Sequence, residues 1–328
     1  MNADLLLGVD IGGTKVATVI AYPSGQILKH FSTPTDLSSD TATVEGILRA
    51  IQAVMDAARV LPHDIASIGI GAPGLVNLER GGWFGSTNVR LTSPPVPLVA
   101  LVEERFGRPT FIENDVKAGA LGEHRYGAGK GLQHMVYLSV GTGIAAGVII
   151  DGRLYRGAGL AGEIGHALVE RNGPLCNCGT HGCLEMMASG GSIARRGRDA
   201  LCTGRETLIA RLADGNPEAI TGRLVIQAAA KGDAVALAII EETASYLAVG
   251  VLMIFAAYDP QLLVLAGGVA QAGDILLDPL RQALAGQTTG QRRTWEKRLT
   301  LTALGEKAGA LGAVALALQS ISPNPSYV

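Results

Sequence analysis

The chain has 328 residues, 48% of them hydrophobic, with 27 basic and 29 acidic side chains and a formal charge of -2. That length suits about two globular domains, and the near-neutral balance excludes the basic footprint of a nucleic-acid or acidic-membrane binder. No basic segment precedes an apolar run at the N-terminus, and the longest apolar stretch, Tyr246 to Ala257, ends at Asp259-Pro260, short of a bilayer's thickness. A cytoplasmic protein acting on a small partner is the expectation.

Residues 8–17 read GVDIGGTKVA, a glycine loop that fits neither the Walker pattern nor G-x-G-x-x-G. The β-branched run after it ends in a Pro23-Ser24-Gly25 turn, so the loop joins two strands. Its exposed N–H groups and the Thr14 hydroxyl can cradle an anion; the plain alternative is an ordinary hairpin turn. Thr43 to Val60 places Ile47, Ile51, Val54, Met55 and Ala58 on one helical face before Pro62, and the strand IASIGIGAPG follows. The opening pattern recurs over Met135 to Tyr155, with a glycine loop at Gly141-Thr142-Gly143 and an Asp151-Gly152 turn, which suggests two related lobes. Asp233 to Ala257 reads as one or two buried helices leading to the strand QLLVLAGGVA, where Gly267-Gly268 lets a ligand approach the backbone. Near the C-terminus, GEKAGALGAVALALQS is an Ala-rich helix with little polar surface, which must pack closely on the first lobe. The SPNPSYV tail is expected to fray.

Two segments carry chemistry. FIENDVKAGALGE joins a strand end to a helix start; Asn114 or Asp115 caps the helix, and a carboxylate there, kept ionised by the helix N-terminus, is poised to take a proton from a hydroxyl. GLAGEIGHALVERNGPLCNCGTHGCLE supplies His166, Cys176, Cys178 and Cys183, a closed tetrahedral set for structural zinc, with His181 competing for the place of His166. Glu163 and Glu185 flank it, either held for a polyhydroxylated ligand or simply solvated.

GVDIGGTK, GAPGLV, ENDVKAGALGE, VGTGIAAGVI, GLAGEIGH, CNCGTHGCLE and VLAGGVA, in this order and spacing, resemble the ROK family of repressors, open reading frames and sugar kinases, particularly its bacterial glucokinase-like members. The resemblance implies an α/β, two-lobed ribonuclease-H-like fold of the actin, hexokinase and Hsp70 ATPase type with a deep interlobe cleft. The smaller lobe would span 1–116, completed by a helix over 304–321, and the larger 117–303 with the zinc loop. It implies transfer of phosphate from ATP with Mg²⁺ to the 6-hydroxyl of a hexose, most plausibly glucose, with structural Zn²⁺ and a homodimer. An N-acetylhexosamine kinase is the alternative. A sugar-sensing regulator is the distant one, since the first loop begins at Gly8 and leaves no room ahead of it for a helix-turn-helix.

By the same resemblance Asp115 is the catalytic base, and Asn88, Asn114, Asp115, Glu163, His166 and Glu185 hold the sugar. Asp10 orients Mg²⁺ and its waters. Gly12, Gly13, Thr14 and Lys15 form the first phosphate loop, and Gly141, Thr142 and Gly143 the second. Gly267 and Gly268 lie beside the nucleoside. One departure is Val116-Lys117, where the family usually has a small residue and Asn. A cation in the first helical turn opposes the macrodipole, so Lys117 either helps hold phosphate or is a solvated side chain.

Overall fold

A computed structural model describes residues 5–86, 88–202, 204, 206–287 and 290–321, leaving aside the side chains of 287, 290–293 and 320; the tail 322–328 lies outside the described residues. In chain order, strands β1 (Leu5–Ile11), β2 (Lys15–Ala21) and β3 (Ile27–Pro34) precede helix α1 (Asp40–Ala58). Then come β4 (Ile65–Ala72), the short pair β5 (Val76–Asn77) and β6 (Gly82–Trp83), α2 (Leu98–Phe106), β7 (Thr110–Asn114) and α3 (Asp115–Tyr126). Strands β8 (Met135–Val140), β9 (Ile144–Ile150) and β10 (Arg153–Tyr155) open the second half, followed by α4 (Leu184–Ala188), α5 (Gly190–Cys202), α6 (Leu208–Leu212), α7 (Gly222–Ala230) and α8 (Ala234–Tyr258). The chain closes with β11 (Leu262–Ala266), α9 (Asp274–Gln287), β12 (Leu299–Leu301) and α10 (Ala308–Ile321).

These elements form two compact units, one of residues 1–133, 147–155 and 303–328, the other of 134–146 and 156–302, so the division passes through β9. The boundary expected at 116 would cut α3, which belongs whole to the first unit. Each five-stranded sheet has the same order, β3-β2-β1-β4-β7 and β10-β9-β8-β11-β12, the repeat foreseen from the two glycine hairpins. In the first, β1 to β3 are antiparallel neighbours while β4 and β7 add in parallel. In the second, β8, β11 and β12 run parallel.

The first sheet is buried on both faces, which is why β1 and β4 read as near-continuous apolar runs rather than alternations. One face meets α1, whose N-cap Ser39 accepts from the Ala42 N–H and whose chain turns out at Arg59 (φ 57°), three residues before Pro62. The other face meets α10. Here Gly8, Gly69 and Gly122 lie against the helix backbone, and a Cβ on Gly122 would stand 2.6 Å from the Ala308 carbonyl and 2.8 Å from Gly312 N. Buried Glu123 ties the approach to α10, accepting from Leu304 N and Ala128 N at 2.9 Å each.

In the second unit, Asp233 caps α8, a single helix rather than two. Its 25 residues are long and apolar enough to cross a membrane by length and composition, more than the stretch from Tyr246 suggests. Half of its most apolar window is buried inside the protein, and its Gly250 lets Leu184 of α4 press against it, the surroundings of a core helix.

Candidate active site and metal centre

The first unit gathers Asp10, the first glycine loop, Asn88, Asn114 and Asp115. Gly12 N donates to Lys15 O at 2.9 Å, closing the turn. Thr35 pins it from the side, its hydroxyl donating to Gly12 O (2.7 Å) and its N–H to Thr14 O (3.1 Å). A Cβ on Gly13 would stand 3.1 Å from that of Asn88, so Asn88 lies against the loop. The segment bearing Asn88 is anchored through Asp40, whose carboxylate accepts from Thr92 N, Thr92 Oγ1 and Ser93 N within 3.0 Å. Lys15 points to solvent and pairs with Glu306 at 2.9 Å; with both ends exposed, that pair contributes little stability.

At the strand-to-helix junction, Asn114 is the cap. Its Oδ1 accepts from Val116 N and Lys117 N, and its Nδ2 donates to Gly74 O and Asp115 Oδ1, all at 3.1 Å. Its amide is therefore committed to holding the turn. Asp115 occupies the first helical position, and its Oδ1 also accepts from Val116 N at 2.9 Å. Gly71 of β4 lies beneath it, where a Cβ would stand 3.3 Å from that of Ala118 and 3.6 Å from Asp115 Cα. Lys117 is buried, with 6% of its surface exposed, so the solvated reading of that residue does not hold. Its backbone packs against Gly147 of β9, which starts the side chain inside the protein.

Asp10 stands at the end of β1, with Gly309 of α10 directly against its carboxylate. Burial, and then the negative charge of Asp115, push its pKa up to about 7, with Lys15 opposing.

The second unit gathers the other loop, Glu185 and the cysteine cluster. Gly141 N donates to Gly143 O (2.9 Å), and Gly190 N to Gly141 O (2.8 Å). Glu185, in the first turn of α4, accepts from Ile144 N at 3.0 Å, and a Cβ on Gly143 would stand 2.6 Å from that carboxylate. Gly267 (φ 87°) packs on the Val140 carbonyl, where a side chain would collide, while Gly268 faces open space. Glu163 precedes the short turn Ile164–His166 and places its carboxylate 3.9 Å from His166 Nε2.

The ligand atoms of His166, Cys176, Cys178 and Cys183 lie within 4.8 Å of one another. Cys176 Sγ is 3.6 Å from His166 Nδ1, and the sulfurs of Cys178 and Cys183 are 3.5 Å apart, near the edge of about 3.8 Å that tetrahedral bonds of ~2.3 Å imply. His181 is not in the cluster; its Nδ1 lies 3.0 Å from Gly173 O, so among the described residues it is His166 that stands with the three cysteines. The Thr180 N–H and then Cys183 lower the Cys178 thiol to about 6, whereas burial raises Cys183 to about 12.

A cavity of about 750 Å³ in this unit begins at Gly141 and Thr142 and ends at Gly268 and Val269. Between them its walls are Gly190-Gly191 at the start of α5, Arg198, and Thr221, Arg223 and Gln227 around α7. None of these wall residues was foreseen. The glycine pair in ASGGSIARRG, opening a helix beside the second loop, was the available signal.

Two α/β units on sheets of one order, each offering a glycine hairpin, with a carboxylate at a helix start and a cavity of about 750 Å³ beside the second hairpin, define a phosphotransferase-type ATPase scaffold. Residues 6–320 match the ROK family, and the chain belongs to it. It is 36% identical to a glucokinase of Streptomyces coelicolor over 98% of this chain and 99% of that one. A glucokinase of Thermotoga maritima is 35% identical over 96% and 98%. A crystal structure of a ROK family glucokinase from Streptomyces griseus, in complex with glucose and AMPPNP, superposes with a TM-score of 0.84 at 35% identity, covering 96% of this chain and 99% of that one.

Asp10 yields a test by pH. A carboxyl whose pKa is raised on folding contributes stability that is complete below about 4 and lost as pH rises through about 7. Asp10→Asn removes that loss. In metal-free, nucleotide-free buffer its melting temperature should exceed wild type by roughly 2–4 °C at pH 8 and converge with it near pH 4. A gap independent of pH would contradict the shift.

Proposed function

We propose that the protein is an ATP-dependent glucokinase that transfers the γ-phosphoryl group to the 6-hydroxyl of glucose. The observation that carries the reading is Asp115, fixed at the start of α3 by the fully engaged cap Asn114 and adjacent in charge to Asp10 at the first glycine loop. The Streptomyces griseus enzyme, matched along nearly its whole length and holding glucose and an ATP analogue, supports the choice of both substrates.

In this reading Asp115 accepts the proton of the attacking hydroxyl, and the helix N-terminus favours its ionised form beforehand. Asn88 and, in the second unit, Glu163, His166 and Glu185 orient the sugar; Asn114 acts chiefly by holding the turn. The N–H groups of Gly13, Thr14, Thr142 and Gly143 would receive phosphate oxygens, while those of Gly12 and Gly141 close the two turns. The 750 Å³ cavity takes the nucleoside. The raised pKa of Asp10 marks a carboxylate short of positive charge, which suits a Mg²⁺ site: bound there with its waters, the ion would neutralise charge on the phosphates. The three thiols and His166 suit Zn²⁺. A closed set of four leaves no open position, so that ion would shape the loop, with His166 using Nδ1 for metal and turning Nε2 toward Glu163 and the sugar. The protein would act in the cytoplasm as a homodimer, as the resemblance implied, although the first unit is not the smaller of the two.

ADP release measured against a panel of hexoses and N-acetylhexosamines should show glucose as the preferred acceptor. Asp115→Asn, which keeps size and capping geometry, should reduce turnover by roughly 10²–10⁴-fold with glucose affinity nearly unchanged. Wild-type turnover in the folded variant would remove Asp115 as base, and preference for another acceptor would replace glucose.

Elemental analysis of protein purified without chelator should find about one zinc per chain. Cys178→Ser should lose metal and melting temperature together, while His181→Gln should retain both. Metal-free wild-type protein with unchanged melting would reject the site.

A further inference from the structure

A second cavity, of about 520 Å³, lies wholly in the first unit and plays no part in the site described above. Its polar lining includes Ser24, Arg125, Lys130, Asp151 and Gln319, with Tyr126 as the aromatic wall. Tyr126 is fixed: its hydroxyl donates to Pro23 O at 3.3 Å, and Gly25 (φ 86°) accommodates its ring. Arg125 lies with its guanidinium 5.8 Å from that ring's centre, and its Nε is buried with no hydrogen-bond acceptor among the described residues. His124 is engaged otherwise, its Nε2 lying 2.7 Å from Leu132 O.

A planar guanidinium fork and a lysine lining one cavity match the oxygens of a phosphate better than any neutral group. Asp151 disfavours a bare anion, and the Gln319 amide would accept from a hydroxyl. The chemistry is that of a small phosphate ester carrying hydroxyls.

The cavity also stands at the far ends of elements whose near ends form the catalytic half-site. Strand β2 leaves the first glycine loop and ends beside Pro23-Ser24. Helix α3 begins at Asp115 and ends in the lining residues His124, Arg125 and Tyr126, about 15 Å along its axis. Helix α10 sets Gly309 against Asp10 and brings Gln319 to the cavity. We propose that this cavity binds a small phosphomonoester through Arg125 and Lys130, and that its occupancy changes the setting of Asp115 and Asp10 through α3 and α10.

The binding half stands by itself; the coupling half rests on the kinase reading. Hexose 6-phosphate and inorganic phosphate are titrated calorimetrically into wild type, Thr14→Ala, Lys130→Gln and Arg125→Gln, with melting curves confirming the fold. Wild type and Thr14→Ala should bind alike, and both cavity variants at least about tenfold more weakly. The exposed Lys130 keeps the test decisive if Arg125→Gln fails to fold. Tighter binding of the ester than of phosphate assigns the ester as ligand; equal affinity assigns phosphate itself. No binding, or binding lost in Thr14→Ala and kept in the cavity variants, overturns the site. Turnover under saturating ester should change at least about twofold in wild type and not in Lys130→Gln; equal responses overturn the coupling, and absence of any sugar phosphorylation overturns the kinase reading while leaving the titration to judge the site.

Discussion

The backbone of α10 touches other backbones at points where no side chain intervenes, and the first unit is arranged around those contacts. Gly8 of β1 faces the Ala310 carbonyl, Gly69 of β4 faces that of Ala313, and Gly312 faces that of Ala118 in α3. Ser67 adds a buried hydrogen bond to Ala317 O at 3.0 Å. A helix drawn this close must be made of small residues, which is why the segment is rich in Ala and Gly and nearly bare of charge. The result is a rigid stack in which Asp10 at the end of β1 and Asp115 at the start of α3 share one neighbour, α10, and keep a fixed relation to each other.

That fixed relation has an electrostatic cost. Two half-buried carboxylates that oppose each other's ionisation are stable only with a cation or a proton close by, and Asp10 without metal holds its proton up to about pH 7. The second unit solves the same positioning problem with a different device. There Glu185 reaches from α4 to the N–H of Ile144, tying the second loop to the helix that follows Cys183, and the sulfur cluster fixes the chain on either side. Close packing positions Asp115, and in the second unit a hydrogen bond from the loop to Glu185 and the His-Cys cluster order the neighbouring chain.

Much of this was legible because it depends on residue types with few other uses. Glycine hairpins, three cysteines within eight residues and an Ala-rich terminal helix each have a narrow structural meaning, and the repeated strand-loop-strand pattern carried the sheet order with it. What escaped depends on tertiary neighbours. Thr221, Arg223 and Gln227 become cavity walls only because α7 packs beside α5, and nothing in their local sequence separates them from surface residues. Lys117 reads as a solvated charge by its type, yet the close approach of Gly147 buries it. Asn114 read as a cap from the residues and as a ligand from the resemblance, and only the four hydrogen bonds around its amide show how far it is committed as a cap.

Gly312 decides whether backbone contact with α10 is what holds the site. In a helix with open surroundings, Gly→Ala stabilises by about 1 kcal/mol through propensity alone. At position 312 the added methyl would enter the Ala118 carbonyl and force α10 away from α3. Thermal melting of Gly312→Ala, paired with glucose phosphorylation rates, should therefore show a melting temperature lower by roughly 5 °C and turnover reduced at least about tenfold, although residue 312 touches neither Asp10 nor Asp115 in sequence. A melting temperature at or above wild type with unchanged turnover would mean that α10 is not the element on which the two carboxylates depend.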